Sequence, residues 1–294
     1  MPGVKGRWEG TRAVAVAAQL LHRLACASMA AAVLVLADGA ALAQGRLEAR
    51  YNATLAGLKL GQGTWIVDAG DDQFMAVASG MTTGLARVFS KGEGTGASRG
   101  LIKGNEFSPT SYSSSVTTGR KTEEVRITLN GGTVKDFDVT PPTPPSSLRI
   151  PVTDAHKRNV FDPMTASLMR VAGNGDLLAQ ENCQRHTAIF DGRMRYDLTF
   201  AFKRFDKVRV KGYEGQVLVC SVYFAPLAGH IPDRPAIKYL VAQRDMEVWL
   251  APITGTRVLA PIKLSIPTPL GTGELEATQF VSAPLPPKAA ARTQ

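Results

Sequence analysis

The sequence has few of the side chains that most often carry catalysis or bind metal ions. Its 294 residues include four histidines and three cysteines, whereas zinc sites need several such ligands, usually at short paired spacings. Beyond the N-terminal region, only Cys183 and His186 stand close together, and no second pair accompanies them. The histidines beyond the N-terminal region, His156, His186 and His230, have unrelated neighbours. We therefore predict no metal site, no cofactor and no enzymatic activity.

The N-terminal apolar run is too short for a membrane anchor. It extends from Leu24 to Ala37 and ends before Asp38, whereas a membrane-spanning helix needs about 20 apolar residues. Basic residues precede the run and Ala41-Leu42-Ala43 follows it, which is the order of a cleavable secretory signal peptide. Cys26 stands at the start of the run, where it cannot complete a lipidation signal. We predict a signal peptide over residues 1–43, a periplasmic location and no transmembrane anchor after cleavage.

Removal of the predicted signal peptide would change the net charge of the chain and the number of its cysteines. Removal of four basic and two acidic residues with the signal peptide lowers the formal net charge from +9 to +7. Basic charge can attract nucleic acid, lipid head groups or acidic polysaccharide, but an exported protein is not expected to meet intracellular nucleic acid. Two cysteines remain, Cys183 and Cys220, and an even pair in an oxidising compartment is expected to form a disulfide.

Stretches with helical periodicity are few. Short alternating runs separated by Gly, Asn, Asp and Pro dominate, which is typical of an all-β protein. We predict one β-rich domain over residues 44–283 and a disordered tail over 284–294. The segment Pro141–Pro145 is either a linker or a crossing within one sheet.

Turn residues and helix-capping residues indicate where the predicted strands and helices begin and end. Hairpin turns are expected at Asn130-Gly131-Gly132 and at the two-residue turn Asp191-Gly192. Asp162-Pro163 predicts a helix start. The predicted helices are Met164–Val171 and Thr83–Ser90, and the predicted strands are Tyr51–Leu60, Gln62–Val67, Phe74–Ser79, Val125–Leu129, Thr133–Val139, His186–Phe190, Arg193–Lys203, Leu218–Phe224, Glu247–Leu250, Arg257–Ile266 and Gly273–Phe280.

One predicted strand carries a long apolar face. Because side chains alternate along a strand, five apolar residues between 193 and 203 fall on one side and the charged ones on the other. This face is either ordinary core or the wall of a ligand site. Its residues are the candidate ligand-binding residues: Met194, Tyr196, Leu198, Phe200 and Phe202.

The stretch Gly96-Ala97-Ser98-Arg99-Gly100 fits the G-x-S-x-G pattern of a hydrolase nucleophile elbow. That elbow needs a buried strand before the serine and a helix after it, and the flanking residues favour neither. We predict a flexible glycine-rich loop here, with a serine hydrolase at Ser98 as a remote alternative.

The residues that carry a family resemblance lie in four segments: Tyr51-x5-Gly57-x3-Gly61, Asp162-Pro163-Met164-Thr165-Ala166, Cys183 with Phe190–Asp197, and Cys220-x2-Tyr223-x5-Gly229. These segments resemble an exported proteobacterial family, the bacterial domain-of-unknown-function 3108 family. The resemblance spans nearly the whole mature chain and implies a periplasmic, mostly antiparallel β protein, without any reaction or catalytic residues. A looser similarity is to curved half-barrels that hold lipid, such as periplasmic lipoprotein carriers, and to periplasmic β-spiral proteins.

These observations favour a single strongly curved antiparallel sheet, a half-barrel or β-spiral, with one or two short helices. The leading functional hypothesis is a non-enzymatic envelope protein that binds lipid or lipoprotein in an apolar concavity. The alternative is a structural or scaffolding module that binds another envelope protein through a sheet edge or through the Pro-rich segment.

Overall fold

The computed structural model describes residues 44–84 and 91–285. The predicted signal peptide, nearly all of the predicted helix Thr83–Ser90 and most of the predicted tail lie outside these ranges. Within the described residues, fourteen strands form one antiparallel sheet. They are β1 Gly45–Leu55, β2 Leu58–Ala69, β3 Gln73–Thr82, β4 Gly92–Lys103, β5 Glu106–Thr118, β6 Lys121–Asn130, β7 Thr133–Thr140, β8 Met169–Arg170, β9 Arg185–Phe190, β10 Arg195–Val210, β11 Tyr213–Ala228, β12 Glu247–Pro252, β13 Val258–Thr268 and β14 Gly271–Pro284.

The sheet consists of two meanders joined at their centre. Strands β1 to β7 pair in chain order, and strands β9 to β14 do the same. The first strand of the chain, β1, pairs with the last, β14, and so unites the two halves. The short strand β8 lies off this path and pairs with β13. The prediction of one antiparallel β architecture is confirmed.

The structure differs from the prediction at two turns, the one between the predicted strands Tyr51–Leu60 and Gln62–Val67 and the one at Asp191-Gly192. The first hairpin turns at Ala56-Gly57, where both residues have positive φ, while Gly61 lies inside β2. The turn between β9 and β10 comprises the four residues 191–194, and the amide of Asp191 donates to the carbonyl of Met194 across it. The Asp191 carboxylate accepts from the amides of Arg193 and Met194, which favours this longer turn over the predicted two-residue one.

The sheet curls until its two ends approach each other, but over the described residues it is not closed into a barrel. Val160 and Phe161 lie between the ends. The amide of Val160 donates to the carbonyl of Gly132 after β6, at 2.9 Å, and the amide of Phe161 donates to Ala188 on β9, at 2.8 Å. Irregularities in register accompany the curvature, as between Phe202 and Arg204 on β10, since bulges bend and twist a strand.

A side-chain contact also joins the two ends of the sheet. Arg193, in the turn after β9, donates to the hydroxyl of Thr143 and to the carbonyl of Pro141, each at 3.1 Å. The Pro-rich segment is therefore held against the same domain. This contact favours the crossing segment over the linker among the two predicted alternatives.

Buried residues form a core on both faces of β11. Val217 and Val219 pack in one apolar cluster, together with residues of β1 and β2. Leu218 and Cys220 pack in another with β12 and β13. The predicted alternation of β11 is present, and the opposite face of the strand is buried as well.

The predicted disulfide is present. Cys183 and Cys220 are fully buried, with their Cα atoms 5.6 Å apart. Cys220 lies on β11, and Cys183 ends a 3-10 turn over Gln180–Cys183. The bond therefore fastens the connection between β8 and β9 onto the second apolar cluster.

Two short α-helices flank the sheet. Helix α1 spans Pro163–Ala166, with Asp162 as the predicted N-cap, but it ends well before Val171. The reason is that Met169 pairs with Leu259 of β13 and so continues the chain as a strand. Helix α2, Pro235–Ala242, begins with proline at its first position and was not predicted. No helix in the described part of the chain has the length and apolar character that crossing a membrane requires.

Candidate functional site

The concave side of the sheet encloses an apolar cavity of about 750 Å³. This volume lies within the range of roughly 300–1,000 Å³ that is typical of small-molecule sites. Leu60 and Leu275 on its wall remain 37% and 38% exposed, so the cavity communicates with solvent on that side. Its wall comes from both halves of the sheet and from α1, including Tyr51, Trp65, Ala78, Met164, Met169, Ile189, Tyr196, Leu198, Phe200, Val222, Val248 and Leu264.

Glycines at inward-facing positions leave this space open. On β3 the even-numbered residues Phe74 and Ala76 are buried while Met75 and Met81 are exposed, which places Gly80 on the inner face. The register then sets a row of glycines across three neighbouring strands, because Gly63 on β2 and Gly94 on β4 both lie opposite Gly80. Gly63 and Gly80 line the cavity. A Cβ at Gly80 would lie 3.5 Å from the carbonyl oxygen of Gln62, an ordinary contact, so a side chain at this position would enter the open space.

The structure divides the five candidate ligand-binding residues. Tyr196, Leu198 and Phe200 line the cavity. Phe202 instead lies opposite Cys220 and packs on the second apolar cluster. Met194 belongs to the turn before β10, so the prediction that it continues the apolar face of the strand is wrong.

The cavity wall also holds polar groups. The hydroxyl of Tyr51 donates to the carbonyl of Pro261 at 2.7 Å, and burial raises the pKa of Tyr51. Burial likewise raises the pKa of Tyr196. The indole nitrogen of Trp65 is buried, and within the described residues it has no hydrogen-bond partner. A buried donor normally has an acceptor, so this indole nitrogen is an exception among the polar groups of the cavity residues.

One charged side chain lines the cavity among the described residues, that of Arg185 at the start of β9. Its Nε donates to the hydroxyl of Thr187 at 3.0 Å, and its Nη1 lies 3.5 Å from the carbonyl of Leu168. Burial lowers the pKa of Arg185, while the charge of Glu106 acts in the opposite direction. Within the described part of the chain, the guanidinium has no carboxylate within 4.0 Å.

The sequence Gly96–Gly100 lies inside β4, so the predicted flexible loop is wrong, and the strand-to-helix elbow of a hydrolase is not formed there. Ser98 is 1% exposed. Its hydroxyl donates to Oδ2 of Asp162 at 3.0 Å and lies 2.9 Å from the hydroxyl of Thr165. This serine therefore fixes α1 to the sheet.

Asp162 is the centre of that contact. Its carboxylate accepts from the amides of Met164 and Thr165 at the start of α1, as an N-cap does. Burial raises the pKa of Asp162, although the hydrogen bonds it accepts act in the opposite direction. The cluster holds α1 in place, and α1 contributes Met164 to the cavity wall.

A second depression of about 680 Å³ borders the cavity and shares Gly63 and Gly80 with it. Its lining is more polar and includes Lys59, Glu93 and Thr95. We regard the apolar cavity as the candidate site because many residues of both halves of the sheet form its wall, whereas Thr278 on β14 is the one residue of the second half that the depression includes.

A sequence model of the family described as "Protein of unknown function (DUF3108)" matches residues 50–278 of the chain. The chain belongs to the DUF3108 family. A search of curated proteins finds no match to this DUF3108 chain. Among solved structures, it is similar to the crystal structure of a beta-barrel-like protein of the domain of unknown function DUF1849 from Brucella abortus. The TM-score is 0.47 at 8% sequence identity, over 81% of this chain and 96% of that chain.

Sequence reasoning missed most of the cavity wall of this DUF3108 protein. The inward glycines and Arg185 are distant in sequence from the apolar face of β10, and only strand register brings them together. One signal of the cavity was present in the sequence. Alternate residues along β3, Phe74, Ala76, Ala78 and Gly80, have smaller side chains toward one end of the strand, which leaves space on its inner face.

Proposed function

We propose that this protein is a non-enzymatic, periplasmic component of the cell envelope that binds the acyl chain of a lipid or lipoprotein in its apolar cavity. The observation that carries the proposal is the cavity of about 750 Å³ with a predominantly apolar wall. Apolar surface gains free energy when it is removed from water, so an acyl chain is a suitable occupant.

The row of inward glycines supports the same proposal. Glycine weakens a strand because it loses more conformational freedom on folding and has no side chain to pack. Gly63, Gly80 and Gly94 nevertheless lie side by side on the inner face. At Gly63 an added Cβ would lie 2.9 Å from the carbonyl oxygen of Ser79, so glycine is required there, but at Gly80 it would lie 3.5 Å from the carbonyl oxygen of Gln62, an ordinary contact. An interior that only needed to be filled would therefore be more stable with a larger residue at Gly80.

Location in the periplasm is part of the proposal. It is supported by the signal peptide predicted over residues 1–43 and by the buried disulfide, since structural disulfides persist in oxidising compartments. In this account the disulfide stabilises the wall and takes no part in chemistry.

The proposal is tested by binding of the neutral fluorescent probe N-phenyl-1-naphthylamine to the purified protein and to Gly80→Leu. A Cβ at Gly80 would lie 3.5 Å from the carbonyl oxygen of Gln62, an ordinary contact, so the backbone accommodates leucine and its side chain enters the cavity and blocks part of it. The matched control is Thr128→Leu, which adds an apolar side chain at an exposed position of β6 outside the cavity and the depression. We expect the wild type and the control to bind the probe and Gly80→Leu to lose binding. Equal binding by all three proteins would contradict the proposal.

A further inference from the structure

We infer that the occupant of the cavity carries an anionic head group, a carboxylate or a phosphate, and that Arg185 binds it. This inference rests on the proposed function and names the class of ligand. Its basis is the position of a guanidinium on the wall of an otherwise uncharged cavity.

Within the described part of the chain, the Arg185 guanidinium has no carboxylate partner, unlike two arginines on the neighbouring strand β10. Arg195 contacts Asp197, and Arg204 lies 2.9 Å from Glu247. Among the described residues, Arg185 has a hydroxyl and a distant carbonyl as its only hydrogen-bond partners. A charge that is partly removed from water is costly without a counter-charge, so an anion from outside the chain would stabilise it.

The position of Arg185 on β9 places it beside apolar residues of the cavity wall. Arg185 lies opposite Phe200, and Thr187 and Ile189 follow it on the same face of β9. Phe200 and Ile189 line the apolar cavity. An acyl chain lying along these residues would therefore have its acidic end within reach of the guanidinium, which has more donors than its two contacts use.

A residue of the same strand also anchors the side chain of Arg185. The hydrogen bond from its Nε to Thr187, which is 1% exposed, restricts the side chain before any ligand arrives. A pre-organised arginine loses less freedom on binding an anion than a mobile lysine does. A charge-assisted hydrogen bond in such a site corresponds to about a tenfold to hundredfold change in affinity.

The test measures displacement of N-phenyl-1-naphthylamine by palmitate and by 1-hexadecanol, which share one chain length and differ in charge. We expect the wild type to bind palmitate about tenfold or more tightly than the alcohol. Arg185→Gln should abolish this preference and leave binding of the probe and of hexadecanol unchanged. Arg185→Lys should retain part of it. The matched control Arg99→Gln removes an exposed arginine from the neighbouring half of the sheet and should have no effect.

A further pair of ligands separates the two head groups. Lysophosphatidate against monoacylglycerol reports on phosphate in the way that palmitate against hexadecanol reports on carboxylate. Equal affinities within both pairs for the wild type, or an unchanged preference in Arg185→Gln, would overturn the inference about Arg185 while leaving an acyl-binding cavity intact. Failure of the probe and of every ligand to bind would instead remove the proposed function itself.

Discussion

Ser98 on β4 donates a 3.0 Å hydrogen bond to Asp162, the residue that caps α1, and both side chains are buried. The two residues are 64 positions apart in the sequence. Their contact attaches the helix to the first half of the sheet, and it gives the serine of a hydrolase-like motif a structural role.

Ser98→Ala is expected to destabilise the protein. The substitution leaves one oxygen of the buried Asp162 carboxylate with fewer donors, and losing such a partner costs about 1–3 kcal/mol. Urea unfolding would measure the loss, with the exposed residue Ser113 on β5 as the matched control, where alanine should change the free energy of unfolding by less than about 0.5 kcal/mol. A serine-directed fluorophosphonate should leave the wild type unlabelled. Labelling that disappears in Ser98→Ala would contradict the structural role.

Asp162→Asn is expected to change how stability depends on pH. Because the pKa of Asp162 is raised in the folded state, the neutral form favours folding. Its contribution is complete below the unfolded pKa of about 3.9 and is lost as pH rises through the raised folded pKa. The variant does not titrate, so its free energy of unfolding relative to wild type should increase over that window, by at most about 1.4 kcal/mol per pH unit.

Urea unfolding at a series of pH values checks this prediction. Burial also raises the pKa of Asp191, but that group is present in both proteins and cancels in the difference. A difference between variant and wild type that is constant with pH would show that Asp162 keeps an ordinary pKa.

Loss of the disulfide is expected to lower the free energy of unfolding by about 3–4 kcal/mol, because the bond closes a loop of substantial length in the unfolded chain. The sequence separation of Cys183 and Cys220 is 37 residues. The double variant Cys183→Ser with Cys220→Ser should match the wild type treated with dithiothreitol and should itself be insensitive to that reagent. If dithiothreitol left the wild type unchanged, this cross-link would not contribute to stability.

Local patterns in the sequence were sufficient for part of the fold. Alternation along β11 and from Tyr196 to Phe200 on β10, the glycines after β6 and the cap at Asp162 depend on neighbouring residues, and the structure has them as predicted. The disulfide was predicted on a different ground, because an even pair of cysteines in a chain with a predicted signal peptide indicates a bond.

Other features depend on pairing between distant segments and could not be predicted locally. The end of α1 is set by the pairing of β8 with β13, and the strand at Gly96–Gly100 is held by β3 and β5 on either side. The cavity could not be predicted locally either, because Gly80 and Arg185 lie on opposite halves of the sheet. Tertiary context overrode the weak strand propensity of glycine in β4.

The central claim is that the cavity holds an acyl chain in the cell. Native mass spectrometry of the protein, purified from the periplasm without detergent, tests it most directly. We predict a protein mass with an added ligand that is lost on organic extraction, an extract that contains an acyl lipid, and little added mass in Gly80→Leu. The bare protein mass alone for the wild type, with an extract free of lipid, would contradict the claim.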